Sequence, residues 1–379
     1  MKIVVNTRFL LKDKLEGIGV FSKNFLINLV KSHPEYEYIF LFDRNFDESF
    51  IFSENVKGVV LYPSARHPFL WYLWFEHAVA SFLQNNKPDL FISLDGQLSL
   101  KANCKTLLVI HDLAFENYPK DIPWLASKYY KWFTPKFANK ASHIITVSDF
   151  SKQDIIKRYK INDSKITVAY NGLSDGFRPL SVDEMKEVKE SLTLGKEYFI
   201  YLGSVHPRKN IPNLLRAFDK FKIKSGSDFK LVIVGKNFFK NQELLSVYNS
   251  MQFKSDVVFK GRVDDEQAQK YLGSAFALIY ISYFEGFGIP ILEAFSSQVP
   301  VITSNVSSMP EVAGDAALLV NPFDLDEVAD AMIQLIENQD LKQILIENGT
   351  MQKNKFSWIV STEKIWKEIE KLTSKKPKN

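Results

Sequence analysis

Glu285-Gly-Phe-Gly-Ile-Pro-Ile-Leu-Glu293 sets two glutamates eight residues apart around a glycine turn (Gly286, Gly288) and a proline, Pro290, suited to the first position of a helix. A short apolar run, Ala277–Ile281, stands just before it and has the character of a buried strand. Strand, glycine turn and helix start, in that order, form the kind of loop at which open α/β sheets bind ligands. Glycines let backbone N–H groups approach a ligand closely, and the new helix points the positive end of its dipole at it. Glu285 then lies in the loop and Glu293 on the first helical turn, where a carboxylate also suits the dipole as an ordinary charged cap. Carboxylates for hydroxyls and N–H groups for phosphates are what a nucleotide sugar requires, and the segment reads as a nucleotide-sugar site.

The same alternation extends outward from this stretch. Tyr198–Leu202, Leu231–Val234, Val257–Phe259, Val299–Thr303 and Ala317–Leu319 are further strand candidates. Between them, helical patterns fall at Asn213–Ser225, Glu243–Met251, Asp265–Ser274, Pro290–Ser297, Met309–Ala313 and Leu325–Asn338. The first half repeats the scheme with strands at Lys2–Asn6, Tyr38–Phe42, Gly58–Tyr62, Leu90–Ser93, Thr106–Ile110, His143–Val147 and Ile166–Ala169. These runs are nearly continuous in hydrophobicity, as parallel strands covered on both faces are. Helices are expected there at Gly19–Lys31, Pro68–Asn85, Pro123–Asn139 and Ser151–Tyr159. The predicted fold class is α/β: two Rossmann-like doubly wound parallel-sheet domains facing a central cleft, 1–175 and 196–355, with a linker at 176–195.

Composition narrows the function. A chain of 379 residues with 46 % hydrophobic and 24 % charged residues is globular and too long for one ordinary core. Aromatics at 14 % imply a core plus a sticky surface somewhere. A net charge of +4 without a long Lys/Arg block argues against nucleic acid. The single cysteine, Cys104, excludes an intrachain disulfide and a cysteine-cluster metal site, and reads as a small buried hydrophobe. No stretch reaches the ~20 apolar residues that span a bilayer, and Met-Lys-Ile-Val-Val-Asn runs straight into a strand without a signal-peptide pattern. The expectation is a cytoplasmic protein.

Glu-x7-Glu after a short hydrophobic strand resembles the retaining glycosyltransferases of family 4, whose two Rossmann-like domains form the GT-B fold. Gly17-Ile-Gly19, His111-Asp112, Ile145-Thr-Val-Ser148, Asn171-Gly172, Gly203-Ser-Val-His-Pro-Arg-Lys209-Asn210 and Pro300-Val-Ile-Thr-Ser304 match in order and spacing, so the resemblance covers nearly the whole chain. Within the family the chain is most similar to bacterial mannosyltransferases of surface-polysaccharide synthesis. The resemblance implies retaining transfer of a hexose, mannose from GDP-mannose, to a glycan or lipid-linked glycan acceptor. It implies no metal, and Asp324-Leu-Asp326 reads instead as a helix cap and first turn. It also implies that the last helix, 356–379, packs back on the first domain; Lys375–Asn379 reads as a frayed tail.

Breaking a sugar–phosphate bond puts negative charge on the leaving diphosphate, which cations and N–H dipoles can meet. Arg208 and Lys209 follow the strand Tyr198–Leu202 and its Gly203 turn. Cations at a helix start oppose the dipole, so a bound anion is the better explanation of their position. Many relatives carry arginine where this chain has Ser204, and Arg208 is the residue placed to supply that charge. By resemblance Glu285 contacts sugar hydroxyls, Glu293 takes the ribose, and the amides of Phe287, Gly288 and Ile289 touch sugar or phosphate. Gly261-Arg262-Val263 is the corresponding shelf for the base.

His111 after its strand fits a sugar contact and a satisfied loop histidine equally well on chemistry; the resemblance assigns it to the donor sugar. Gly17 and Gly19 lack the third glycine of the dinucleotide fingerprint and lie about ten residues past the first strand. By resemblance they form a loop closing near the diphosphate. Arg8 suits orienting that loop or the acceptor, and equally a structural salt bridge. Phe69-Leu-Trp-Tyr-Leu-Trp-Phe75 is apolar all round and is expected as a buried helix. Lys128-Tyr-Tyr-Lys-Trp-Phe133 mixes cations with rings and suits peripheral contact with the inner membrane face. The alternatives to a transferase are a nucleotide-sugar epimerase or phosphorylase on the same fold, and a non-catalytic nucleotide-sugar-binding scaffold subunit.

Overall fold

The computed structural model describes residues 1–12, 15–236 and 242–374. The chain forms two compact units, one from Met1–Gly172 with the segment that starts at Ser357, the other Leu173–Phe356. In the first, β1 (Lys2–Asn6), β2 (Glu37–Phe42), β3 (Val56–Val60), β4 (Leu90–Ser93), β5 (Lys105–Val109), β6 (His143–Thr146) and β7 (Ile166–Val168) form a parallel sheet in the order β3-β2-β1-β4-β5-β6-β7. In the second, β8 (Tyr198–Leu202), β9 (Lys230–Val234), β10 (Val257–Lys260), β11 (Ala277–Tyr280), β12 (Val301–Ser304) and β13 (Ala317–Val320) form a parallel sheet in the order β10-β9-β8-β11-β12-β13. Both are doubly wound. Their strand interiors, such as Ile3-Val4-Val5 and Leu231-Val232-Ile233, are fully buried because helices cover both faces.

Strand order reverses between β1 and β4 in the first sheet and between β8 and β11 in the second. The loops leaving those neighbours run to opposite sides and open a crevice at the carboxyl ends, which is where such sheets hold ligands. Within each unit, that crevice is the place to look for chemistry.

Several elements differ from expectation. Residues 176–195, read as a linker, lie within the second unit: Ser181 and Glu184 close a capping box on helix Val182–Thr193, which buries Val188 and Leu192 and packs on helix Asp265–Gly273. Helix Gln339–Gln352 was not anticipated. It starts at Asn338, whose side chain accepts from Leu341 N at 2.9 Å, and its Gly349 lies flat against Phe295, where a Cβ would come within 2.7 Å of the ring. Gly17 and Gly19 are not in a loop but open helix Gly17–Ser32. The apolar stretch 69–75 buries Trp74 and Phe75 but leaves Phe69 exposed, and Trp74–Val79 is wound as a π-helical turn.

The last helix, Trp358–Thr373, is capped by Ser357 and packs on helix Gly17–Ser32, Trp358 meeting Phe21 edge-on. Gly172 makes room for Trp358, whose backbone N would lie 2.4 Å from a Cβ there. The tail expected at Lys375–Asn379 lies outside the described residues. Among the described residues no helix is long and apolar enough to cross a membrane.

Candidate active site

In the second unit the reversal between β8 and β11 gathers an ion cluster. After β8 the chain turns at Gly203, with φ +150°, and makes a short 3-10 turn, Pro207–Lys209. Asn210 then takes a left-handed conformation, and its Nδ2 donates to Ile281 O at 3.2 Å and Pro322 O at 2.6 Å. Those bonds tie the loop after β8 to the end of β11 and direct Lys209 inward. Lys209 Nζ donates to Tyr280 Oη at 2.6 Å and pairs with Glu285 Oε1; Arg208 Nη1 donates to Glu285 Oε2 at 2.7 Å and to Phe284 O at 3.2 Å. Glu285 itself is fixed through its backbone. Ser307 Oγ accepts from Glu285 N at 2.9 Å and donates to Glu285 O at 2.6 Å, while Ser308 Oγ donates to Phe287 O at 2.8 Å.

Burial alone would push the Glu285 carboxyl up, but the Arg208 and Lys209 charges overrule it and hold the group below its ordinary range. Burial, with Glu285 nearby, pushes the Tyr201 and Tyr280 hydroxyls well above theirs, so both stay neutral. Both cations at this turn thus pair with a carboxylate of the chain itself. The structure brings Arg208, Lys209 and Glu285 together and adds Tyr280, Asn210, Ser307 and Ser308, which sequence reasoning missed.

Gly288, with φ +111°, precedes helix Ile289–Ser296, so Pro290 falls on the second helical position and Glu293 lies beyond the first turn. The first turn carries no acid, which removes the capping explanation for Glu293. Its Oε1 instead accepts from Ser174 Oγ at 2.9 Å. Burial pushes the Glu293 carboxyl up to about 7, Ser174 opposing and Asp265 adding to the shift. Phe287 buries its ring edge-on to Phe356, 5.6 Å between centroids, so only its backbone is available to a ligand. Gly261 and Arg262 are exposed after β10, with Val263 half-buried, and a Cβ at Gly261 would meet nothing within 4 Å. Asp324, read as a cap, accepts from Asp326 N and Glu327 N at the start of helix Leu325–Glu337, and Asp326 pairs with Lys220.

In the first unit the reversal between β1 and β4 holds a buried ion pair, Arg8 with Asp95. Asp95 Oδ1 also accepts from Gln97 N at 3.2 Å, and the Arg8 guanidinium lies over Phe9 and Phe75. Of the roles open to Arg8, the structure shows the salt bridge. His111 Nε2 meets Leu94 O at 2.9 Å; a carbonyl only accepts, so Nε2 carries the proton and Nδ1 the lone pair. Burial lowers the imidazole's affinity for a second proton against the opposing pull of Leu94 O, Asp112 and Asp95. Asp112 Oδ1 accepts from Ala114 N at 2.9 Å, a turn role. Gly17 begins its helix with no side-chain cap and no acid in the first turn, whereas Gly19 is explained by packing, since a Cβ there would lie 2.8 Å from Phe9 O.

Known families account for both units. The family model described as glycosyl transferases group 1 matches residues 183–352, and that described as glycosyltransferase family 4 matches residues 17–176. O-antigen chain mannosyltransferase B of Escherichia coli is 30 % identical over 255 residues, covering 67 % of this chain and 67 % of that protein. The chain belongs to glycosyltransferase family 4. This glycosyltransferase is also 28 % identical to O-antigen chain mannosyltransferase RfbU of Salmonella typhimurium over 71 % of each chain. The crystal structure of Anabaena Alr3699/HepE in complex with UDP-glucose matches it with a TM-score of 0.76 at 17 % identity, over 98 % of this chain and 100 % of that one. That likeness establishes the shared GT-B fold.

Proposed function

We propose that the enzyme is a retaining mannosyltransferase that moves mannose from GDP-mannose onto a growing surface-polysaccharide glycan, either free or lipid-linked. The observation that carries the donor half is the Arg208–Glu285–Lys209 cluster, which gathers two cations at the β8–β11 reversal, where such sheets hold ligands. The sugar is inferred from the relatives in Escherichia coli and Salmonella typhimurium, both named as O-antigen chain mannosyltransferases.

In the proposed reaction the bond from the anomeric carbon to the diphosphate oxygen breaks, and its electron pair stays on that oxygen. The acceptor hydroxyl bonds to the same face of the sugar and passes its proton to the departing phosphate. Arg208 and Lys209 meet the charge that develops there. Glu285 keeps both cations in place and offers its remaining lone pairs to sugar hydroxyls. Because each of its oxygens already accepts from a cation, it is a poor covalent nucleophile, which favours front-face attack over double displacement. Glu293 takes the ribose hydroxyls, the amides of Phe287, Gly288 and Ile289 the sugar and phosphate, and Gly261–Val263 the base. Gly17 and Gly19 lend amides to the diphosphate, and His111, with Nδ1 unprotonated, contacts the transferred sugar. The cations occupy the role a metal would otherwise fill, so none is required.

A thermal-shift panel of GDP, UDP, ADP and GDP-mannose tests the donor. Ligand at about a hundred times its dissociation constant adds about 2.7 kcal/mol, enough to see. A rise confined to GDP and GDP-mannose supports the assignment; a rise with UDP or ADP alone discards mannose, and no rise discards the donor site. NMR of the product of transfer then decides retention, which requires the anomeric configuration of the donor.

A further inference from the structure

Helix Trp124–Lys140 presents an unusual outward face. Its exposed positions are Trp124, Leu125, Lys128, Lys131, Trp132, Lys136, Asn139 and Lys140, while Ser127, Tyr129, Thr134, Phe137 and Ala138 turn inward. Trp124 is 67 % and Trp132 65 % exposed, at positions where a surface helix ordinarily carries charged or amide side chains. No carboxylate lies anywhere on the helix, against four lysines. The adjoining helix Pro68–Leu73 packs on it through Tyr72 and Phe133, 5.8 Å between ring centroids, and extends the patch with Phe69, 64 % exposed.

We propose that this face docks on an anionic phospholipid surface. Lysines facing outward along one helix complement a negative headgroup layer, and tryptophans are the residues that sit at headgroup depth with one apolar and one polar side. Two details favour lipid over the other surfaces that attract rings and cations. Lysine is depleted at protein–protein interfaces, whereas here it makes up half of the outward row. A single-stranded nucleic acid would stack its bases on open ring faces. Lys128 Nζ stands 4.0 Å over the Trp124 ring and Lys136 Nζ 4.0 Å over the Trp132 ring, so one face of each is already taken. The helix interior supports the arrangement: Tyr129 and Phe137 anchor it to the core of the first unit, leaving the outer row free of a structural task. None of these residues belongs to the donor or catalytic assignments, so this inference stands or falls apart from them.

Flotation of the full-length chain tests it, with vesicles of phosphatidylcholine containing about 30 % phosphatidylglycerol and with phosphatidylcholine alone. The chain should float with the anionic vesicles at low salt, be released by high salt, and stay behind with the neutral ones. Each lysine near such a surface is worth roughly a fivefold change in partitioning, so Lys128→Gln/Lys131→Gln/Lys136→Gln should lose on the order of a hundredfold. Trp124→Ala/Trp132→Ala should lose at least about tenfold, along with any blue shift of tryptophan emission on binding. Both variants should melt with the unaltered chain, since the replaced groups are at the surface. Failure of the unaltered chain to float would overturn the proposal, as it would if the face served a protein or a nucleic acid instead. Equal binding to neutral vesicles, or a lysine variant that floats as well as its parent, would also overturn it.

Discussion

Glu285 holds two cations, of which Lys209 is buried and Arg208 partly exposed, and its removal has consequences for folding and for turnover. Breaking a buried pair by neutralising one partner typically costs about 3–5 kcal/mol, because the other charge stays behind unpaired. Glu285→Gln should therefore lower the melting temperature and abolish sugar transfer. It should not weaken GDP binding, since a neutral amide competes less than a carboxylate with the bound anion for Arg208 and Lys209; calorimetric titration showing a large loss of GDP affinity with turnover intact would sink the assignment. Glu293 makes the opposite kind of prediction. Its carboxyl is raised from 4.5 to about 7, so between those values the folded chain binds a proton that the unfolded chain has released. The group's contribution to stability therefore declines as pH rises through that window. Glu293→Gln removes the titration: the variant should melt higher than its parent at about pH 8 and gain nothing at about pH 4.5. If ribose hydroxyls donate to this carboxylate, GDP affinity of the unaltered enzyme should also climb between about pH 6 and about pH 8, while that of the glutamine variant stays flat.

The loops after β8, β10 and β11 can be probed through their glycines, which differ in what they tolerate. Gly288 has φ +111°, and a Cβ there would lie 3.2 Å from Ile291 Cδ1, so Gly288→Ala should cost about 1–2 kcal/mol and lower the melting temperature. Gly261 has open space around it, so Gly261→Ala should melt unchanged; any loss of nucleotide affinity in that variant then reports on the ligand and not on the fold. The strands of both sheets were visible in the sequence because burial on two faces writes them as short continuous apolar runs; Lys2–Asn6, Leu90–Ser93 and Tyr198–Leu202 match at both ends and the others lie within two residues. Helix Gln339–Gln352 left no such trace, since its buried positions are Leu345, Gly349 and Gln352, not an apolar stripe. The segment of helix Val182–Thr193 reads as charged and helix-like but was assigned to the linker, because its packing in the second unit rests on few apolar positions, Val188 and Leu192 among them. In the site, Arg208, Lys209 and Glu285 stood out as charged residues at strand ends. Their mutual pairing did not, because it joins residues separated by 76 positions or more and exists only because β8 and β11 are neighbours. Asn210, Ser307 and Ser308 act on backbone atoms of other loops, a role that no local pattern reveals.

The molecule as a whole is one chain that builds a doubly wound unit, then a second, and then returns to complete the first. The return is the helix Trp358–Thr373, which belongs to the first unit although it follows the second in sequence. Its contribution is large: Trp358, Ile365, Trp366 and Ile369 are all buried, and Trp366 stacks on His33 with centroids 3.6 Å apart. Each such side chain contributes roughly 1.5–3 kcal/mol, jointly about 6–12 kcal/mol, which is comparable to the whole stability of an ordinary domain. The helix also covers Phe21, whose ring meets the His111 imidazole edge-on at 4.9 Å, so the loss would reach the first unit's candidate site. Ending the chain after Phe356 should therefore unfold the first unit and leave the second with its nucleotide site. The expected result is loss of a substantial part of the far-ultraviolet circular dichroism, complete loss of transfer, and GDP binding retained by the remaining folded part. A truncated chain with its full dichroism and an unchanged melting temperature would mean that the first sheet is closed without this helix; loss of GDP binding would mean that the second unit does not hold the nucleotide unaided.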